Sequence, residues 1–265
     1  MNPWLRSRRV LASSCVGFQR MERHQFLSVI HERYRPRSYL EIGINDGLGL
    51  ARSRTRTIGV DPDFCITAEL ACDLELVRAT SDDFFARADA ISWFPDGVVD
   101  FTFIDGLHLF EFVLRDFMNT ERLSASTSVV VLDDVLPRSV SEAARHQHTL
   151  LWAGDTYKVT AVLERHRPDL TTLLLDTEPT GLLLVLGIDP TNTVLAERYD
   201  EIVAEVTTDD PQPVPDDILH RRAAADPRLV AGSPIWGELA TARSTGAPAP
   251  PVEALRSLRG SAAPR

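Results

Sequence analysis

Between residues 38 and 188, short β-branched and aliphatic runs alternate with longer polar-apolar stretches. Strands joined by helical crossovers leave that pattern, and it dictates a mostly parallel sheet covered on both faces. Five runs read as parallel-type strands: 38–44, 57–60, 76–80, 100–104 and 128–132. The last is nearly pure valine and leucine, as a doubly covered central strand should be. Residues 108–123 have helical period, with Phe112, Val113, Phe117 and Leu123 on one face and Glu111, Arg115, Asp116 and Glu121 opposite. Two more runs, 170–175 and 182–188, are separated by only a few residues, Pro179, Thr180 and Gly181 among them. That gap is too short for a parallel crossover, so the pair must be antiparallel. A plain dinucleotide-binding domain would continue with another helix here.

The 265 residues suit one domain with appendages, and 44% hydrophobic with 25% charged residues excludes wholesale disorder. Twenty-eight basic against 38 acidic residues leave a formal charge of −10, which makes nucleic acid a poor partner. Cys15, Cys65 and Cys72 lie at no zinc-like spacing, and so few cysteines suggest a reducing, cytoplasmic home. No apolar run is long enough to span a membrane. The segment 1–35 is rich in arginine. Ser7-Arg8-Arg9 opens like a twin-arginine signal, but Ser13, Ser14 and Cys15 interrupt the apolar run that should follow. A basic helical arm is the expectation. The rest divides into a catalytic domain at 36–190, an extension packed on the core at 191–240, and a Pro/Ala-rich tail at 241–265 expected to be disordered.

Glu41-Ile42-Gly43-Ile44-Asn45-Asp46-Gly47-Leu48-Gly49 is a strand running into a glycine-bearing turn. Gly43 and Gly47 allow a sharp turn and close approach of backbone to a ligand. Asp61 ends the next strand, 18 residues after Gly43, where a carboxylate can accept both ribose hydroxyls. The spacing departs from the fingerprint that brings backbone amides against a pyrophosphate, and Glu41 would repel one. Glu41 suits a cationic ligand, and the sulfonium and ammonium groups of S-adenosylmethionine meet that requirement.

Taken with Val60-Asp61-Pro62, Ser81-Asp82-Asp83-Phe84-Phe85, Phe103-Ile104-Asp105-Gly106-Leu107-His108 and Val131-Leu132-Asp133-Asp134, the motif resembles a class I S-adenosylmethionine-dependent methyltransferase. More narrowly it is similar to the bacterial group that includes the macrocin-type sugar O-methyltransferases. The resemblance spans about 36–190. It implies a Rossmann-like α/β sheet of seven strands, mostly parallel with a terminal antiparallel hairpin and helices on both faces. It also implies cofactor contacts from Glu41, Gly43, Gly47, Asp61 and Asp105, with Ser81 or Asp82 beside the adenine.

Asp105 closes one strand and Asp133-Asp134 close its expected neighbour, so three carboxylates converge. Taken alone, such acids also serve as a helix cap and a solvated loop. Oxygen-only donors favour Mg²⁺, and the resemblance points the same way. His108, three residues past Asp105, takes the family's basic position and would accept the acceptor's proton. His146 and His148 are second candidates, near a substrate wall drawn from Trp152, Asp155 and Tyr157. The expected reaction is Mg²⁺-assisted O-methylation of a sugar, glycoside or glycolipid, with a catechol-like phenol second. A non-catalytic adenosyl-ligand-binding protein and an NAD-dependent oxidoreductase stay open as alternatives, as does assembly into homo-oligomers.

Overall fold

A computed structural model describes residues 20–262. The twin-arginine segment and most of the expected basic arm therefore lie outside the described residues. Helix α1 (Arg23–Tyr34) leads into β1 (Ser38–Ile42), β2 (Arg56–Val60) and β3 (Leu74–Val77). The short α2 (Ser81–Phe85), β4 (Val99–Ile104), α3 (Phe110–Arg122) and β5 (Ser124–Leu132) follow. After a long loop come α4 (Lys158–His166), β6 (Thr171–Leu175) and β7 (Leu182–Leu186). Five further α-helices follow among the described residues: α5 (Val194–Glu197), α6 (Tyr199–Val206), α7 (Asp216–Leu219), α8 (Pro227–Ala231) and α9 (Ile235–Thr245).

The seven strands form one sheet in the order β3-β2-β1-β4-β5-β7-β6. Pairing is parallel from β3 to β5, and β7 runs antiparallel to both neighbours. This is the Rossmann-like α/β sheet expected above. The order starts at β1 and winds outward in both directions, so the ends of β1 and β4 flank a switch point where ligands bind. Strand β1 is shorter than the run 38–44 because Gly43 turns at φ +82°. Strand β5 is longer than 128–132, its extra residues reaching Val99 across an irregularity in the β4 pairing.

Side chains alternate across the sheet with period two. Tyr39, Phe101, Phe103, Val129 and Val131 pack with Phe26, Leu27 and Ile30 of α1 and Trp236 of α9. On the other face, Ile104, Val130, Leu132 and Val185 meet Phe110, Leu114 and Phe117 of α3 and Val159 and Leu163 of α4. The first helix thus belongs to the core.

The expectation of a disordered tail is corrected by the structure. A 3-10 turn at Glu253–Leu258 buries Val252 and Leu255 in the first of these cores. Arg256 donates to the carbonyl of Leu170 at 2.5 Å and Arg259 to that of Thr172 at 3.0 Å. Composition mispredicted this segment because a few apolar residues, well spaced, suffice to cover the exposed edge beside β6. Deleting residues 247–265 is expected to lower stability by about 2–4 kcal/mol, the scale of exposing a Val and a Leu. Urea unfolding checks this; an unchanged midpoint would return the segment to the status of a loose tail.

Candidate functional site

Strands β1, β2 and β4 end side by side, and a cavity of about 540 Å³ opens over their carboxyl ends. Gly43, Asp61, Ser81, Asp82, Asp105 and His108, all named from the sequence, line it. At its β2 side, Asp61 Oδ2 accepts the backbone N–H groups of Ile44 and Asn45 at 2.9 and 3.0 Å, and Oδ1 accepts that of Asp63 at 2.7 Å. The carboxylate therefore holds the glycine turn in place. A carboxylate has about four acceptor positions, so capacity for a ligand hydroxyl is left. Further along, both oxygens of Asp82 are engaged by Arg115, at 2.6 and 3.0 Å. Ser81, the other adenine-side candidate, is hydrogen-bonded to Asp116.

Glu41 and Gly47 do not line the cavity. Glu41 is 2% exposed and accepts the Tyr39 hydroxyl at 2.7 Å. Burial pushes its carboxyl up to about 8, against the Tyr39 hydrogen bond. An ordinary strand pleat causes this, since Glu41 and Tyr39 share the face covered by α1. A Cβ on Gly49 would come within 2.2 Å of Glu41 Oε1, so that glycine is the space the carboxyl occupies. Direct contact of Glu41 with a cationic ligand is thereby removed; it supports the turn from behind.

The acids meet at the mouth of the cavity, with a partition unlike the one expected. His108 Nε2 lies 3.3 Å from Asp105 Oδ1 and 3.1 Å from Asp134 Oδ2. Asp105, His108 and Asp134 each offer a ligand atom within 4.8 Å of one another. Asp133 is engaged by Arg23 instead of His108, and its Oδ1 accepts the Asp134 N–H at 2.9 Å. Asp134 sits at φ +61°, and that left-handed turn separates the directions of the two adjacent acids. Burial drives the pKa of all three carboxyls upward, their mutual repulsion adds to it, and Arg23 and His108 oppose it.

His108 is itself tuned. Its Nδ1 is 2.7 Å from the Trp152 carbonyl, which makes Nδ1 the donor and turns Nε2 toward the acids. Burial works to lower its pKa, but the Asp105 hydrogen bond and the charges of Asp134 and Asp105 outweigh it and raise it to about 10. The loop that supplies this carbonyl is pressed close by Gly154, where a Cβ would lie 1.6 Å from the His108 carbonyl oxygen. Asp155 anchors the same loop, accepting the Phe110 N–H at 2.8 Å and pairing with Arg145 and Lys158. It is buried, as is Tyr157, so neither is a wall for substrate. His146 and His148 are exposed, and His146 pairs with Asp210 at 3.1 Å. Neither lines the cavity.

Arg23 was missed. It begins α1, lines the cavity, and lies 3.4 Å from Asp105 while contacting Asp133. A cation in the first turn of a helix opposes the macrodipole. That misfit was the available signal that Arg23 is held by something outside its own helix.

Asp105, His108 and Asp134 could hold a divalent cation, with one imidazole and two carboxylates instead of three carboxylates. Separations of 3.1 and 3.3 Å are close to the edge of an octahedron with bonds of about 2.1 Å. A nitrogen donor widens the choice beyond Mg²⁺ toward Mn²⁺ or Zn²⁺.

Residues 40–135 match a family model described as "Methyltransferase domain". A search of curated proteins finds no match. Among solved structures, the chain is similar to a putative O-methyltransferase from Klebsiella pneumoniae at 14% identity and TM-score 0.46, over 63% of this chain and 80% of that one. It is similar to an O-methyltransferase from Bacillus cereus in complex with SAH at 18% identity and TM-score 0.44, over 62% and 80%. The Podospora anserina methyltransferase PaMTH1, bound to SAH, gives 12% identity and TM-score 0.44, over 63% and 78%. The matched residues 40–135 run from β1 through β5 and contain the cavity's glycine turn, Asp61 and the acidic cluster.

Proposed function

We propose that the protein transfers a methyl group from S-adenosylmethionine to a hydroxyl, with a divalent cation beside the acceptor. The observation that carries this reading is one cavity holding both Asp61, at the end of β2, and the Asp105–His108 edge of the acidic cluster. The methyltransferase-domain match over the same strands supports it. When bound, S-adenosylmethionine supplies an electrophilic methyl on a sulfonium, and a cation lowers the pKa of the hydroxyl it touches. Asp61 binds a ribose hydroxyl with its remaining acceptor position, and Ser81 lies at the adenine side. Asp105 and Asp134 would hold the cation, and His108, whose Nε2 faces both carboxylates, would take the acceptor's proton. Trp152 keeps the ring oriented for that transfer. A sugar or glycoside hydroxyl is the acceptor we favour, on the sequence resemblance.

Asp61 tests the cofactor assignment. Asp61→Ala should weaken S-adenosylmethionine binding by roughly 1.5–3 kcal/mol, the scale for hydrogen bonds to a charged group. Calorimetry with S-adenosylmethionine and with NAD reads it, and the variant's far-UV spectrum guards against loss of the glycine turn. Binding of NAD but not S-adenosylmethionine would overturn the proposal in favour of an oxidoreductase.

A further inference from the structure

A second cavity, of about 350 Å³, opens between the C-terminal half of α1 and the connection from the glycine turn into β2. It shares no lining residue with the cavity above the strand ends. Arg35, Arg52 and Arg54 line it, and Glu32 is the lone acid among the lining residues. Three guanidiniums against one carboxylate give the cavity a formal charge of +2 in a chain whose total is −10.

Most arginines in the fold are matched to carboxylates, as Arg115, Arg145, Arg167 and Arg221 are. These three are not. Within the described residues they donate only to backbone: Arg35 to Glu32, Arg52 to Leu48, and Arg54 to Ala51 and Ser53. Each guanidinium has five N–H donors, so Arg35 and Arg52 keep both terminal nitrogens and Arg54 keeps Nε and one terminal nitrogen.

His31 also lines this cavity, is 9% exposed, and has a buried Nε2 without a hydrogen-bond partner. Its ring is wedged edge-on against Tyr39 and Phe101 at 4.7 and 5.1 Å, so it cannot turn away to find one. Burial and the nearby Arg54 hold it neutral. The carbonyls that end α1 would repel an anion, but Arg243 covers those of Tyr34 and Arg35 at 3.1 and 2.6 Å.

We infer that this cavity binds a phosphomonoester dianion through forks of Arg35, Arg52 and Arg54. Planar guanidinium forks match phosphate oxygens two at a time, and a dianion balances the charge present. Small-ligand pockets span about 300–1,000 Å³. This one stands at the lower end, so the ligand is a phosphate carrying a small organic body.

The test is calorimetry on the full chain with inorganic phosphate and with glycerol phosphate, using potassium chloride at equal ionic strength as blank. Saturable binding of both is expected. The Arg52→Gln/Arg54→Gln double variant should weaken it about tenfold or more, the scale for losing charge-assisted bonds. Arg56→Gln, outside the cavity, should leave it unchanged. If the double variant does not fold, Arg35→Gln alone serves the same comparison. Heats indistinguishable from chloride, or equal affinity in wild type and variants, would overturn the inference. So would binding confined to phosphatidylcholine vesicles containing phosphatidic acid with none of the soluble phosphates, which would make the patch a membrane contact.

Discussion

His108→Ala is expected to lower methyl transfer by about 10²–10⁴-fold, the range general-base catalysis contributes. The ring lies 3.3 Å from Asp105 and 3.1 Å from Asp134, so it is placed either to take a proton or to hold a cation, and the two roles separate experimentally. A base is bypassed in part by raising the pH and is untouched by added metal. A ligand is bypassed in part by excess Mn²⁺ or Mg²⁺ and leaves a weakened metal isotherm. Asp134→Asn should weaken the metal, whereas Asp133→Asn should spare it and loosen α1, because Asp133 faces Arg23. Release of S-adenosylhomocysteine, measured across pH and metal with glycoside and catechol acceptors, reads all three variants. A near-wild-type His108→Ala enzyme would remove His108 from the reaction.

The same ring should leave a mark on stability when no cation is present. Its pKa rises from 6.5 to about 10 on folding, so the stabilisation is complete below pH 6.5 and disappears as pH climbs to about 10. In EDTA, urea midpoints of wild type and His108→Ala should therefore converge with rising pH. The group is partly exposed, so the difference will be smaller than the shift alone implies.

Gly43→Ala is expected to destabilise the fold by about 3–5 kcal/mol, among the larger effects a single substitution produces. Two causes add. At φ +82° any Cβ is strained, and here it would also stand 1.9 Å from the Asp105 carbonyl oxygen and 2.9 Å from the Gly106 Cα. Both obstacles are backbone, and that backbone is pinned: Gly43 donates to the Val60 carbonyl and Asp105 to that of Ile42, each at 2.8 Å. Gly97→Ala supplies the comparison, since Gly97 has φ +61° and nothing within 4 Å of an added Cβ. It should cost only the conformational part, about 1–2 kcal/mol. Equal losses in urea unfolding would mean that the β1–β4 approach is softer than the structure indicates.

The alternation of strands and helices and the antiparallel final pair followed from local signals. Valine-rich runs, helical period in 108–123 and a gap too short to cross over are properties of consecutive residues, and chain geometry leaves them few arrangements. Strand-end positions of Asp61, Asp105, Asp133 and Asp134 followed in the same way, because a strand's end is where its pattern stops. Which way a side chain points at such an end is not local. Asp133 and Asp134 are adjacent, yet one meets Arg23 from α1 and the other His108. That outcome depends on a left-handed turn and on a helix more than a hundred residues earlier in sequence. Gly43 was legible as a turn, but its reason, the Asp105 carbonyl, belongs to another strand. The tail shows the opposite limit. Pro and Ala composition describes the average residue, whereas docking needs only Val252, Leu255 and two arginines opposite free carbonyls beside an edge strand. Sequence periodicity determined the layers and the places where chemistry collects; only contacts between distant segments decided which charged groups face each other there, because pairwise electrostatics acts over a few ångströms of space and is blind to separation along the chain.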